Sequence, residues 1–335
     1  MRARQGSMLV LALWSLSLLA LFSLSLGFGV RQKAMLLSRL STLDALYPIA
    51  YSGVEQAKSL VRSDANFDVD TLTDAWAAQR ARFQRIALHG GTFSLVTDGL
   101  SPVVDEERKV NLNHTSVEIV SRLLQRVSGL DRDESDELVY NLLDWMDSDS
   151  FFGHPDYGAE DSYYENLRKP YSAKDAPYEV LDELLLVKGM TPEIFTRIKP
   201  FITVYGSGQV NLNTAGREVL AALGFSPLGV ETIAKYRAGA DGEDGTSDDR
   251  LFANVGSVAN DISVIGGTPL DASQVVLLSG LVMAGRVGVV SSAFQVTSLG
   301  VLDKNGASVE VEAVFNRTSQ VLYLRVGEVR WPART

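Results

Sequence analysis

The amino-acid sequence predicts an α+β fold. One long N-terminal helix crosses a membrane, an antiparallel sheet forms the folded head, and a large α-helical domain is inserted into that sheet. Three observations carry this reading. Residues 7–30 form a run of 24 residues without a charge, long enough to cross a bilayer as one helix. Runs of β-prone residues stand once before and three times after a block with helical periodicity. Inside that block Val-Asn-Leu-Asn occurs at 110–113 and again at 210–213, the mark of a repeated helical unit.

The elements follow in chain order. Met1–Gly6 (MRARQG) is a short basic leader ending in glycine. The apolar run after it continues into an amphipathic helix, because Leu36, Leu37, Leu40, Leu43 and Leu46 recur at three- and four-residue steps. Pro48 is expected to kink or interrupt that helix, and residues 50–61 to resume it. Residues 64–73 read as loop, 74–87 as a short helix, and 90–97 (GGTFSLVT) as a strand. Beyond Pro102, KVNLNHTSVEIVSRLL starts at Lys109 and QVNLNTAGREVLAALG at Gln209. Each copy leads into a helix with Asn or Thr available as N-cap. A third helical hairpin spans Leu181–Val204 with Gly189 at its turn. The strands after Val287 cover 287–301, 307–317 and 319–331, and Lys304-Asn305-Gly306 is a hairpin turn between the first two. The expected divisions are a leader (1–6), the membrane and amphipathic helix (7–63), the first part of the sheet domain (64–102), the inserted helical domain (103–284) and the C-terminal strands (285–335).

Composition narrows the function. The formal charge is −10, which disfavours binding to a phosphate backbone, so no nucleic acid is expected as partner. Cysteine is absent, which excludes disulfides and thiolate metal sites. Catalytic patterns are lacking: the three histidines His89, His114 and His154 form no H-E-x-x-H, and there is no G-x-S-x-G. The chain therefore reads as a non-enzyme. The Val187–Met190 turn and the repeated hairpins are similar to helix-hairpin-helix modules, whose turn amides meet phosphate in nucleic-acid proteins. In this acidic chain a scaffold use of the same unit fits better.

Two acidic segments are candidates for a hard cation such as Ca²⁺. The first, within Asn141–Tyr171, brings Asp144, Asp147 and Asp149 close together, followed by Glu160 and Asp161. Oxygen-rich, cysteine-free clusters suit calcium; the competing reading is a helix C-terminus whose acids serve caps and turns. Trp145 is expected to be core beneath this loop, and His154 a loop side chain rather than a ligand. The second segment, Ala240–Arg250, holds Asp241, Glu243, Asp244, Asp248 and Asp249, with Gly242 and Gly245 allowing tight turns. It is too short for an EF-hand; the competing reading is a solvated hairpin tip.

Several of these motifs carry a resemblance. A basic leader ending in Gly6, with its cut site before the apolar run rather than after it, resembles the class III signal of type IV pilins and type II secretion pseudopilins. D-W-x-D-x-D at 144–149, G-A-E-D-x-Y-Y at 158–164, Pro170-Tyr171, E-L-x-x-V-x-G at 183–189, N-L-N-T-A at 211–215 and E-V-L-A-A-L at 218–223 resemble the minor pseudopilin K of type II secretion. The Ala240–Arg250 loop looks like the D-G-x-x-G-T-x-D-D calcium loops of secreted proteins, other pseudopilins among them. The resemblance implies a pilin-like fold and cleavage of the prepilin leader by prepilin peptidase between Gly6 and Ser7, with methylation of the new N-terminus. Loss of Arg2 and Arg4 would take the charge from −10 to −12. The fifth residue would then be Leu11, where most pilins carry a glutamate and the K family does not. It further implies a single-pass anchor in inner-membrane lipid, a periplasmic head, structural calcium, and a place with minor pseudopilins I and J at the tip of the major pseudopilin filament. A minor pilin of a type IV pilus and a DNA-uptake protein are the alternatives.

Overall fold

The structure is a computed structural model that describes residues 5–78, 80–97, 101–265 and 269–332. Helix α1 runs Gln5–Arg62 without a break. At about 1.5 Å per residue its 58 residues reach about 87 Å, far more than the roughly 30 Å of a hydrocarbon core. It is the one helix among the described residues long and apolar enough to cross a membrane. The expected interruption at Pro48 does not occur. Pro48 cannot donate to the turn before it, but Leu46, Ile49 and Ala50 are pressed onto the sheet on both sides of it, and this packing carries the helix through. Ser52 Oγ donates to the Pro48 carbonyl at 2.7 Å.

The expected helix at 74–87 is also replaced. Ala77 and Ala78 donate to the Asp74 carbonyl in a turn, a short 3₁₀ stretch covers Arg80–Phe83, and strand β1 follows at Ile86–Leu88. The reason is Trp76, fully buried edge-on to Phe294, with ring centroids 5.2 Å apart. Strand β2 (Gly91–Val96) falls where the sequence placed it, and β3 (Val103–Asp105) follows.

The helical block comprises β4 (Val110–Asn111), α2 (Val117–Val127), α3 (Arg132–Asp144), the single turn α4 (Asp161–Tyr164), α5 (Pro192–Ile198), β5 (Ile202–Thr203), β6 (Val210–Asn211), α6 (Arg217–Ala222), α7 (Pro227–Arg237), α8 (Val258–Ile265), α9 (Ala272–Met283) and β7 (Val287–Gly288). Strands β8 (Ala293–Leu302), β9 (Ser308–Asn316) and β10 (Val321–Val326) complete the chain. The main sheet has the order β1-β2-β8-β9-β10, with β3 beside β2 along the same edge of β8, and every pairing in it is antiparallel. The expected division at residue 103 thus falls inside the sheet, because β3 pairs with β8. The division at 285 falls inside the helical block, because Val287 and Val289 belong to its core.

Two hydrophobic cores result. One lies between α1 and the sheet, where Leu46, Ala50, Val54, Ala57 and Val61 meet Leu95, Phe294, Val296, Val311 and Phe315. The alternation of buried positions along β8 and β9 is what a sheet covered on one face requires. The other core fills the helical block, around Leu123, Leu124, Leu184, Ile198, Leu212 and Phe252.

The repeated Val-Asn-Leu-Asn acts as a pair of matching clasps. Strand β4 pairs in parallel with β5, and β6 in parallel with β7. The amides of Leu112 and Leu212 then donate to Thr203 and Gly288 carbonyls, each at 2.9 Å. Asn113 Nδ2 donates to Tyr178 O while its Oδ1 accepts from Tyr178 N. Asn213 makes the same reciprocal pair with Phe252. The helix N-caps are Ser116 and Gly216, neither with a side-chain cap bond. The asparagines expected as caps are occupied across the block instead. Replacing Asn213 by alanine orphans a buried carbonyl and a buried amide, and is expected to lower unfolding stability by about 2–4 kcal/mol, read from the denaturant midpoint.

Candidate metal centre

The first acidic segment folds as a loop on the end of α3. The helix starts on a capping box, with Asp131 and Glu134 bonding each other's backbone amides, and ends at Asp144. Trp145 is buried beneath the loop against Tyr164, as its sequence context suggested. Of the five acids expected here, the structure brings three together: one carboxylate oxygen each of Asp147, Asp149 and Glu160 lies within 4.8 Å of the others. The other two have different work. Asp144 accepts from the amides of Gly153 and Ala159, both at 3.0 Å, and closes the loop. Asp161 accepts from Ala173 N at 2.8 Å. Gly158 is required where it stands, since φ is +146° and a Cβ there would lie 2.4 Å from Asp144 Oδ2.

The electrostatics mark the trio as unfinished. Burial, then the charges of Asp144, Asp147 and Asp149, push Glu160 up to about 7. Burial and the neighbouring Asp149 and Asp144 also raise Asp147. Asp147 Oδ1 and Glu160 Oε1 are buried without a hydrogen-bond partner, and no cation side chain forms an ion pair with the trio among the described residues. Orphaned carboxylate oxygens facing one another fit a hard, oxygen-seeking cation. His154 stays out of the trio: it stacks on Tyr157 and packs against Tyr140, each with ring centroids 4.8 Å away.

The second acidic loop is built differently. Asp248 Oδ2 accepts from the amides of Ala240 and Asp241, and Thr246 Oγ1 donates to its other oxygen. These bonds hold Asp248 down to about 2. Asp249 accepts from Gly245 N and Thr246 N, Asp241 from Glu243 N, and Asp244 lies 3.5 Å from buried Arg237. Asp241, Glu243, Asp244, Asp248 and Asp249 are therefore not brought into one ligand set; turn bonds and Arg237 account for most of their oxygens.

A third acidic group escaped sequence reasoning. Asp64, Asp70 and Asp74 converge, and Arg317 from the β9–β10 turn reaches them, bonding Asp70 and lying 3.8 Å from Asp64. Burial pushes Asp70 up to about 6 against that guanidinium. Arg317 supplies the positive charge that the first trio lacks. No sequence signal pairs residues 247 positions apart.

Gly6 and Ser7 fall within α1, Leu11 is exposed on it, and the leader residues 1–4 lie outside the described residues. The Gly189 turn is exposed at its glycine and packed on α3 by its flanks. Asn141 Nδ2 donates to Lys188 O, and Val187 and Met190 are buried, so the hairpin is fastened to α3.

Residues 94–207 match the family model described as type II secretion system (T2SS), protein K. The type II secretion system protein K of Aeromonas hydrophila is 33% identical over 103 residues, 29% of this chain and 31% of that protein. The Pectobacterium carotovorum protein K is 28% identical over 97 residues, 28% of this chain and 29% of that protein. These alignments span about a third of the relatives' length. A chain in the crystal structure of the GspK-GspI-GspJ complex from enterotoxigenic Escherichia coli superposes with a TM-score of 0.62, covering 89% of this chain and 99% of that one at 16% identity. Residues 94–207, about a third of the chain, thus match the protein K family model, and the fold of the chain matches that of the solved one.

Proposed function

We propose that this chain is the K-type minor pseudopilin of a bacterial type II secretion system, a structural subunit that joins minor pseudopilins I and J at the pseudopilus tip and supports protein export across the outer membrane. The match of residues 94–207 to protein K, inside a chain of the same fold as one in the GspK-GspI-GspJ complex, carries this reading. In it, α1 anchors the chain once in inner-membrane lipid and packs against the helices of the major pseudopilin filament, with the head in the periplasm. Prepilin peptidase cuts after Gly6 and Ser7 is methylated. Leu11 then stands at the fifth position, where a carboxylate at membrane depth would need a partner; a subunit at the top of a filament has none above it. The helical block adds bulk on the head that hinders stacking of a further subunit.

Asp147, Asp149 and Glu160 would hold Ca²⁺. Bound there it would neutralise three facing carboxylates and fix the loop that Asp144 closes. Deleting the gene is expected to abolish export of the organism's type II substrates into the medium while their periplasmic pools rise, and expression of the full chain in trans is expected to restore export. Normal export from the deletion strain would sink the proposal.

A further inference from the structure

At the end of β3 three consecutive acidic side chains turn inward. Asp105, Glu106 and Glu107 are each at most 2% exposed, and they stand where the two cores meet, just after Val103 of one and before Val110 of the other. Each fastens a different part of the helical block to the sheet. Asp105 accepts from Thr214 Oγ1 and Asn211 Nδ2 of the second repeat. Glu106 accepts from Thr203 Oγ1 of β5, the partner strand of the first repeat, and from Lys109 Nζ, the latter at 2.6 Å. Glu107 accepts from the Ser207 amide between the repeats at 2.9 Å, from the Ser292 amide at 3.0 Å and hydroxyl, and from the Ala293 amide at 3.2 Å at the start of β8.

Glu106 has a cation in contact. Asp105 and Glu107 form no ion pair among the described residues. The charged groups around them are Arg108 and the Glu106–Lys109 pair on the same turn, Asp70 with Arg317, Arg237 of α7 with Asp244, Glu312 with Arg325 beyond Gln295, and His114 against Gly208. Two like charges buried on one turn repel, and the charge of Asp105 acts on Glu107. A proton on either carboxyl would not lose its partner, because the contacting hydroxyls of Thr214 and Ser292 can accept as well as donate, and Thr214 Oγ1 is also 3.5 Å from Asn211 O.

We infer that the Asp105–Glu107 pair holds one proton in the closed head, and that losing it loosens the seam between the sheet and the helical block, so that attachment of the block responds to the pH of the surrounding medium. Burial, then the charge of Asp105, push Glu107 up to about 7, and burial raises Asp105 as well. The closed form therefore binds a proton that the open form, with ordinary carboxylates, releases. Opening is favoured as pH rises toward about 7 and gains nothing further above it.

Hydrogen–deuterium exchange on the full chain in detergent micelles, in calcium buffer and corrected for intrinsic exchange, tests this. In peptides covering 203–209 and 289–294 the opening constant is expected to rise about tenfold per pH unit between about pH 5 and 7 and then to level. Peptides within α2 are expected to stay flat. Glu107→Gln and Asp105→Asn are each expected to flatten the rise at the seam. A pH-independent seam in the wild type, the same rise in α2, or an unchanged rise in both substituted chains would overturn the inference. If neither substituted chain folds, the wild-type comparison of seam with α2 decides alone.

Discussion

Replacing Gly53 by valine is expected to cost the head about 3 kcal/mol, a large share of the roughly 5–15 kcal/mol that holds a domain folded. Gly53 lies on the face of α1 that meets the sheet. A Cβ there would stand 2.1 Å from Ser298 Oγ, 2.8 Å from Ser298 Cβ and 2.9 Å from Leu95 Cδ2. The contact recurs two residues along β8, where a Cβ on Gly300 would stand 2.8 Å from the Ala50 amide nitrogen. Glycine on both surfaces is what lets α1 lie this close to β8. Valine at 53 pushes the helix outward and opens the core around Leu95, Val296 and Val311. The denaturant midpoint of the full chain in micelles, followed by tryptophan fluorescence with Trp76 buried in this core, reports the loss. Valine at Gly27 or Gly29, where a Cβ meets nothing within 4 Å, is expected to leave the midpoint of the head unchanged. Gly53→Ala combined with Ser298→Gly should recover much of what Gly53→Ala alone loses. A Gly53→Val chain as stable as the wild type would show that the close approach is not needed.

Calcium is expected to raise the stability of the head by about 3 kcal/mol at a hundredfold excess over its Kd, and EGTA to remove the gain. The pH dependence has a definite sign. Without metal, Glu160 titrates near 7, raised above an ordinary carboxylate. The folded head then binds a proton that the unfolded chain has already lost, so stability from this group is present at low pH and declines as pH rises from about 4.5 to about 7. Calcium needs the deprotonated ligands, so its stabilisation runs the other way and grows over the same interval. Calorimetric melting at pH 5.5 and 7.5, with calcium and with EGTA, is expected to show a small calcium shift at about the first pH and a large one at about the second. Asp147→Asn combined with Glu160→Gln should abolish the shift, while Asp248→Asn should leave it. A shift that survives the first pair and disappears with Asp248→Asn would move the metal to the Ala240–Arg250 loop.

Much of this architecture was legible because it is written in local pattern. The uncharged run at 7–30, the leucine spacing from 36 to 46, the alternation through β8 and β9, and the Lys304-Asn305-Gly306 turn each depend on neighbours within a few residues. So does the crowding of acids after Asp144. The misses are tertiary. Pro48 obeys its packing on the sheet rather than its own helix-breaking chemistry. Trp76 draws 74–87 out of a helix and into the sheet core. The Asn residues of the repeat read as caps in a linear chain, and become clasps only when Tyr178 and Phe252 are brought to them. Within the acidic segments, counting carboxylates could not separate those that hold the loop, such as Asp144 and Asp248, from those left without a partner. That separation rests on which backbone amides reach which oxygens. Three buried acids in a row at 105–107 were visible in the sequence, but only the two cores meeting there give them a role.

Membership of a three-subunit tip complex is open to test by co-purification. The full chain, tagged and solubilised in mild detergent, would be expressed with the I and J pseudopilins of the same genome and passed through affinity and size-exclusion columns in calcium buffer. One peak is expected, in which all three subunits co-elute in equal amounts. Elution of the tagged chain alone, with I and J folded and associated with each other, would contradict it.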